Sequence, residues 1–435
     1  MIRKTLSFSG LTEVLGGVFN KIASKEQNPG KVPLADCLMS AFAMFSLKYS
    51  SLLKFDNDSR GHDETLIHNL KNIFGIGWIP SDTAMRERLD PLDPRSLDLA
   101  FKKLFAEVQR GKALEGMESY RGDYLVSLDG TGVFGSSKIS CPHCLVKNKG
   151  KDNESYYHQN FCAVLVKPGC KTVFPLGNEA IVNSDGNTKN DCELNAAKRL
   201  IPRLRTEHPF LPMCLVLDGL HSKAPIIGLC EENKMRYIII AKEGDHKYLF
   251  EQVADRSVCD LKKVIETVGA ITKEYYFAEG LELNQANPDV KVNFLEYKEY
   301  ENGKYTKRFV WITNYNLTKD NVAKLTLMGR ARWKIENETF NTLKNQGYEY
   351  EHNFGHGDKN LSVIFSTLML LALAVDQTLE RCCQAFKAAR EKAGRKKDLW
   401  EKIRAFIDFI PVRSMEDFYA LIAKQMSLRN VLNTT

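Results

Sequence analysis

The sequence has no strong excess of one charge: 61 Lys and Arg face 54 Asp and Glu, a formal net charge of +7 over 435 residues. That balance suits a polyanionic partner only if the bases gather on one face. A bilayer-length apolar run is missing too. The longest, Leu361 to Val375, includes Ser362, Ser366 and Thr367 and stops at Asp376, short of the roughly 18 to 20 residues a span needs. It predicts a buried helix and no membrane partner. Eleven cysteines are an odd number, and Cys162, Cys214 and Cys230 sit singly in apolar runs, so a disulfide framework is excluded and a reducing compartment expected. Met1-Ile2-Arg3-Lys4 lacks the apolar core and cleavage site of a signal peptide, which makes a cytoplasmic protein the expectation. Repeats and low-complexity tracts are absent. With 43% hydrophobic and 26% charged residues the chain is globular, and at about 150 residues per domain it has room for two or three domains.

Residues 1–118 read as helical, with apolar spacing from Lys31 to Leu47 and Ser81 or Asp82 capping a later helix. The texture changes after Arg121. Tyr124 to Asp129 is a short apolar run ending in Gly130-Thr131-Gly132, and Phe161 to Lys167 and Lys171 to Leu176 flank Pro168-Gly169 as a hairpin. An amphipathic helix from Asn190 to Arg205, a strand from Cys214 to Leu217, a helix from Ser222 to Asn233 and a strand from Arg236 to Ala241 follow. Three strands, helix, strand, helix, strand imply an α/β sheet covered on both faces. Residues 250–320 read as a β-rich insertion with a hairpin at Asn302-Gly303. Helices resume at 321, so that 119–249 and 321–380 read as two parts of one domain around the insertion, with a break at Gly355-His356-Gly357. The basic region 381–435 holds most of the net charge: residues 381–430 have 12 Lys or Arg against 6 Asp or Glu.

Asp129 in Ser127-Leu128-Asp129-Gly130 and Asp218 in Val216-Leu217-Asp218-Gly219 each follow a buried strand. Carboxylates at strand ends lie at the rim where ligand crevices form, and two that come close need a cation between them. Either Asp-Gly alone is also ordinary turn chemistry. On a helix with 100° per residue, Arg332, Glu336 and Phe340 share a face, and Glu338 points away from it.

Taken together, strand-Asp129, strand-Asp218 and the helical Arg332-Trp333-Lys334-Ile335-Glu336-Asn337 resemble the catalytic elements of DDE transposases of bacterial insertion sequences, whose core is ribonuclease H-like. The β-rich stretch before Glu336 and the segment Gly347 to Gly357 resemble one large group of these enzymes. Two positions depart from that group's pattern. Gly329 stands where a Tyr is frequent, and Leu343 where a Lys is frequent, the lysine following at Lys344.

The resemblance implies a ribonuclease H-like mixed sheet with flanking helices and a helical N-terminal region that binds transposon ends. It implies a transposase that cleaves element ends and joins them to target DNA, with Asp129, Asp218 and Glu336 binding two Mg²⁺ ions that Mn²⁺ can replace. Double-stranded DNA is the implied partner, a homodimer the implied active form and the bacterial nucleoid the implied place of action. Arg332, Lys344, His221, His352 and, in the basic tail, Lys396 are DNA-contact candidates. Trp333 either stacks on a base or packs in the core, the second being expected. Arg86 and Arg88 lie among acids and balance charge. A nuclease of the same fold without strand transfer, or a non-catalytic DNA-binding relic, are the alternatives. Asp191-Cys192-Glu193 is read as acids favoured by a helix N-terminus. Separately, Cys141-Pro142-His143-Cys144 with His158 and Cys162 has the spacing of a structural zinc site, although Cys162 begins a buried strand.

Overall fold

The computed structural model describes residues 4–26, 30–60, 64–183, 191–255 and 257–424. Met1 to Arg3, Asn190 and the end of the basic tail, 425–435, lie outside the described residues. The N-terminal region is helical as expected: α1 (Phe8–Ala23), α2 (Leu34–Ser46), α3 (Leu52–Arg60), α4 (Glu64–Phe74), α5 (Asp82–Leu89) and α6 (Asp98–Arg110). Ser81 caps α5 by accepting from Ala84 N at 3.2 Å. Arg86 and Arg88 do balance charge, pairing with Asp82 at 3.0 Å and Glu26 at 2.7 Å.

The sheet begins with β1 (Tyr124–Ser136), β2 (Leu145–Lys147), β3 (Ser155–Val166) and β4 (Phe174–Ile181). It continues after α7 (Glu193–Glu207) with β5 (Met213–Leu217), α8 (Ala224–Glu232) and β6 (Arg236–Ile240). β1, β3 and β4 are an antiparallel meander, and β5 and β6 run parallel to β1, giving the core order β4-β3-β1-β5-β6. This is the expected ribonuclease H-like arrangement. After α9 (Lys247–Ala254) come β7 (Lys262–Val268), β8 (Ile271–Asn284), β9 (Asn287–Glu301) and β10 (Lys304–Thr313). They continue the same sheet, because β10 pairs antiparallel with β6. The β9–β10 turn is made by Asn302 at φ 50° and Gly303 at φ 75°, the left-handed pair that a two-residue hairpin turn demands.

Consecutive residues on β3 show how the sheet is covered. Gln159 donates to Glu193 on α7 at 2.6 Å, whereas Asn160 donates to Ser366 at 2.7 Å on α12 (Leu361–Cys382). Neighbours on a strand point to opposite faces, so α7 and α12 cover opposite faces. Between β10 and α12 lie α10 (Val322–Arg330) and, after an irregular stretch, α11 (Asn341–Asn345). α12 is apolar and long enough for a bilayer, yet Leu361 to Leu379 are all buried within the protein, as a helix apolar on every side must be when sheet and helices enclose it. Its start is held by Asp90, whose carboxylate accepts the amides of Asp358, Lys359, Asn360 and Leu361 at 3.0–3.1 Å. Gly357, at φ 68°, has no Cβ because one would lie 2.3 Å from Asp90 Oδ1.

The basic C-terminal helices α13 (Gln384–Ala393), α14 (Lys396–Ile407) and α15 (Met415–Lys424) fold back onto the N-terminal helices. Asn69 on α4 donates to the Ile407 and Ile410 carbonyls and accepts from Val412 N. At the junction of α2, α12 and α14, Lys48 is buried with Asp376 at 2.8 Å, and its ammonium lies over the rings of Tyr348 and Trp400. Burial pushes Lys48 down to about 8, against the pull of Asp376. Tyr348 donates its hydroxyl to the same carboxylate. Removing one partner of a buried pair strands the other charge, so Asp376→Ala is expected to lower stability by about 3–5 kcal/mol. Tyr348→Phe, which removes a single hydrogen bond, costs about 1 kcal/mol. Urea unfolding followed by circular dichroism measures both.

Candidate active site

β1 and β5 are paired from Tyr124 opposite Met213 to Ser127 opposite Val216. Continuing that register by two residues brings Asp129 level with Asp218. The expectation that both acids end their strands needs one correction. β1 runs past Asp129 to Ser136 because β3 keeps pairing with it, and only β5 stops. Gly130 is therefore not a turn residue. A Cβ there would lie 2.2 Å from Glu193 Oε1, so the glycine admits the Glu193 carboxylate against the strand beside Asp129. At the second acid, Asp218 caps the short turn Gly219–His221 by accepting from Leu220 N at 3.1 Å.

Each aspartate has its own counter-group. Arg332 Nη1 donates to Asp129 Oδ2 at 2.8 Å, and the Arg332 carbonyl accepts from Ser127 Oγ at 3.0 Å. His221 Nδ1 donates to Asp218 Oδ1 at 2.7 Å. Burial raises the Asp129 carboxyl above its ordinary value against the pull of Arg332 and the Gly130 N–H, and the Asp218 charge adds to the rise. At Asp218 burial also acts upward, but the His221 hydrogen bond, with Arg332 and the Leu220 N–H, outweighs it and holds the carboxyl below its usual range. Glu193 is raised by burial and then by the charge of Asp129, with Asp218 adding to it. Reading Glu193 as a mere helix-terminus acid missed this field. The available signal was Gly130, whose vacant side-chain position the acid fills.

The helix expected to carry Arg332 and Glu336 on one face is not a regular α-helix. Ala331–Trp333 form a 3₁₀ turn and Ile335–Phe340 a π turn, so 100° per residue does not convert spacing into direction here. The π segment packs on β1 and β3, and Glu336 on it is half-buried. Glu338 pairs with Lys334 at 3.5 Å. Both departures from the transposase pattern have a local cause. A Cβ at Gly329 would lie 2.7 Å from the Trp311 indole, which fills the space a larger residue needs, and Leu343 is in the core.

The DNA-contact candidates lie in different settings. His221 is fully buried, stacked on Phe161 at 5.2 Å, and positions Asp218 rather than meeting a ligand. Lys344 is tied to Glu351 at 2.7 Å and Lys396 to Glu380 at 2.5 Å. Trp333, expected in the core, is 45% exposed because Arg332 beneath it, 4.5 Å from its ring, turns inward to Asp129. His352 is exposed, edge-on to Phe354. Among the described residues, the one group of three or more potential metal ligands drawn together is Cys141, Cys144, His158 and His356. Cys162 is not part of it: it lies opposite Asp129 in β3, fully buried.

No family model and no curated protein matches the sequence. Among solved structures the chain is similar to a piggyBac transposase synaptic complex with hairpin DNA, at 10% identity over 99% of this chain and 83% of that one, with a TM-score of 0.39. A likeness at that level assigns no activity to this chain.

Replacing His221 with Phe removes the group that depresses Asp218. A depressed carboxyl contributes stability above the ordinary carboxylate range, and that contribution is lost as pH falls through the folded-state value. The stability difference between wild type and His221→Phe is therefore expected to be larger at neutral pH and to shrink as pH falls below the ordinary carboxylate range. Urea midpoints at neutral and at acid pH test the trend, and a difference independent of pH would contradict it.

Proposed function

We propose that the chain is a DNA transposase of the DDE type that cleaves the ends of an insertion sequence and joins them to target DNA. The observation that carries this reading is Asp129 on β1 with Asp218 directly after the end of the parallel neighbour β5 in a ribonuclease H-like sheet, and Arg332, from the segment carrying Glu336, bonded to Asp129. Carboxylate oxygens are the donors that hard divalent cations prefer, and both aspartates are half-buried and already oriented by hydrogen bonds, although the three acids are not drawn together as a ligand group. Asp129, Asp218 and Glu336 would hold two Mg²⁺ or Mn²⁺ ions. Bound there, such ions stabilise the attacking and leaving oxygens of an in-line phosphoryl transfer.

The chain's own residues supply the rest. His221 keeps Asp218 ionised and aimed. Arg332 keeps Asp129 in place and presents a fixed positive charge beside it, suited to a phosphate next to the scissile bond. Trp333, exposed on the outer side of Arg332, offers a stacking surface for a base. Double-stranded DNA is then the partner, and a homodimer holding two ends is the active form. The setting is the cytoplasm of a bacterium.

The test uses a supercoiled plasmid carrying the reading frame with its flanking DNA, and separately pre-cut ends with a target plasmid. Wild type is expected to nick the flanks and join pre-cut ends in Mg²⁺ or Mn²⁺, and to stop in EDTA. Asp129→Asn, Asp218→Asn and Glu336→Gln are expected to fall to background, Arg332→Ala to lose about 10–100-fold as an orienting residue, and Glu338→Gln to stay near wild type. Cleavage without joining would reduce the protein to a nuclease of the same fold. If Glu193→Gln abolished cleavage while Glu336→Gln did not, Glu193 would be the third acid.

A further inference from the structure

The strand arms that run beyond Asp129 and the loop that follows the π segment meet at a cluster with no part in the chemistry above. Cys141 and Cys144 lie between β1 and β2, His158 lies on β3, and His356 lies in the loop before α12. Cys141 Sγ and Cys144 Sγ are 3.7 Å apart, each sulfur is 3.5 Å from His158 Nε2, and Cys144 Sγ is 3.3 Å from His356 Nε2. A zinc ion with Zn–S of about 2.3 Å and Zn–N of about 2.0–2.1 Å sits in a tetrahedron whose S–S edge is about 3.8 Å and S–N edge about 3.5–3.6 Å. These four separations match those edges to within about 0.3 Å, and all four ligand atoms lie within 4.8 Å of one another. We propose that Cys141, Cys144, His158 and His356 bind one structural Zn²⁺.

Three further features favour a metal over a hydrogen-bonded cluster. Cys144 and His158 are buried, at 2% and 3% exposure, where two thiolates cancel the charge of a dication and leave a neutral centre. Both histidines turn Nε2 toward the sulfurs, the orientation that ligands of one shared ion need. The Cys141 N–H also donates to Cys144 Sγ at 3.4 Å, which favours a thiolate there. With four protein ligands the coordination is closed, and the role is structural. Asp90 fixes the amides just after Gly357 and the metal would fix His356 just before it, so the chain is held on both sides of that glycine. Cys162, the ligand that spacing alone suggested, is replaced by a histidine almost 200 residues further along the chain.

The test is metal content by mass spectrometry of full-length protein purified without chelators from zinc-supplemented cells. About one zinc per chain is expected for wild type and for Cys162→Ala, and less than about a tenth of that for Cys144→Ser and His356→Ala. Because the ligand variants can fail to fold, wild-type protein is also stripped and loaded with Co²⁺. The expected result is the intense visible band of tetrahedral cobalt together with thiolate-to-cobalt charge transfer. The proposal is overturned by wild type without stoichiometric zinc, by a cobalt spectrum lacking those bands, or by zinc lost in Cys162→Ala and kept in His356→Ala.

Discussion

Two carboxylates at the same edge of the sheet repel, and the charge of Asp218 adds to the rise of Asp129, so each acid needs a counter-group of its own. The parallel pairing of β1 and β5 ends two residues before Asp129 and Asp218 and brings the two acids to the same edge of the sheet. Each is answered from a different direction. His221 comes from the turn directly after β5, so Asp218 is settled locally. Arg332 comes from more than 200 residues downstream, after the whole β7–β10 extension of the sheet, so Asp129 is settled only when the chain has closed on itself. Burial and the neighbouring charge raise Asp129, while hydrogen bonding lowers Asp218. Two chemically identical residues thus differ in what they offer a cation.

The surrounding helices are less an N-terminal domain and a C-terminal domain than a single jacket about α12. Lys48 reaches Asp376 on that helix, Arg404 on α14 donates to the Leu47 and Lys48 carbonyls, and Asp90 gathers the amides at its start. The other long side of α12 is occupied by the sheet, through Asn160 and Asn178. Residues at both ends of the sequence therefore bear on the helix behind the acids. A disturbance at the jacket has a short path to β3 and β1.

Much of this was legible in the sequence. Apolar runs interrupted by Pro168-Gly169 and Asn302-Gly303 located strands and turns, because those residues set backbone angles locally. The acids at Asp129 and Asp218 were legible because a carboxylate placed where a buried apolar run gives out carries a desolvation cost that a neighbouring group must offset. What could not be read is what depends on contacts far apart in sequence. Spacing cannot tell that β3 holds β1 beyond Gly130, that Glu193 fills the space over that glycine, or that His356 and not Cys162 joins Cys141 and Cys144. The inward turn of Arg332, which leaves Trp333 in solvent, is equally invisible until the carboxylate that attracts it is placed.

The π turn at Ile335–Phe340 bears on how relatives of this chain are to be found. Such a turn takes up one residue more than an α-turn, so a chain that gains a residue there can keep its flanking helices in place. A one-residue length change inside the Glu336 helix is then tolerable where most helix insertions would rotate everything after them. A pattern that fixes the distance from the glutamate to the next basic residue excludes any chain with one residue more at that point.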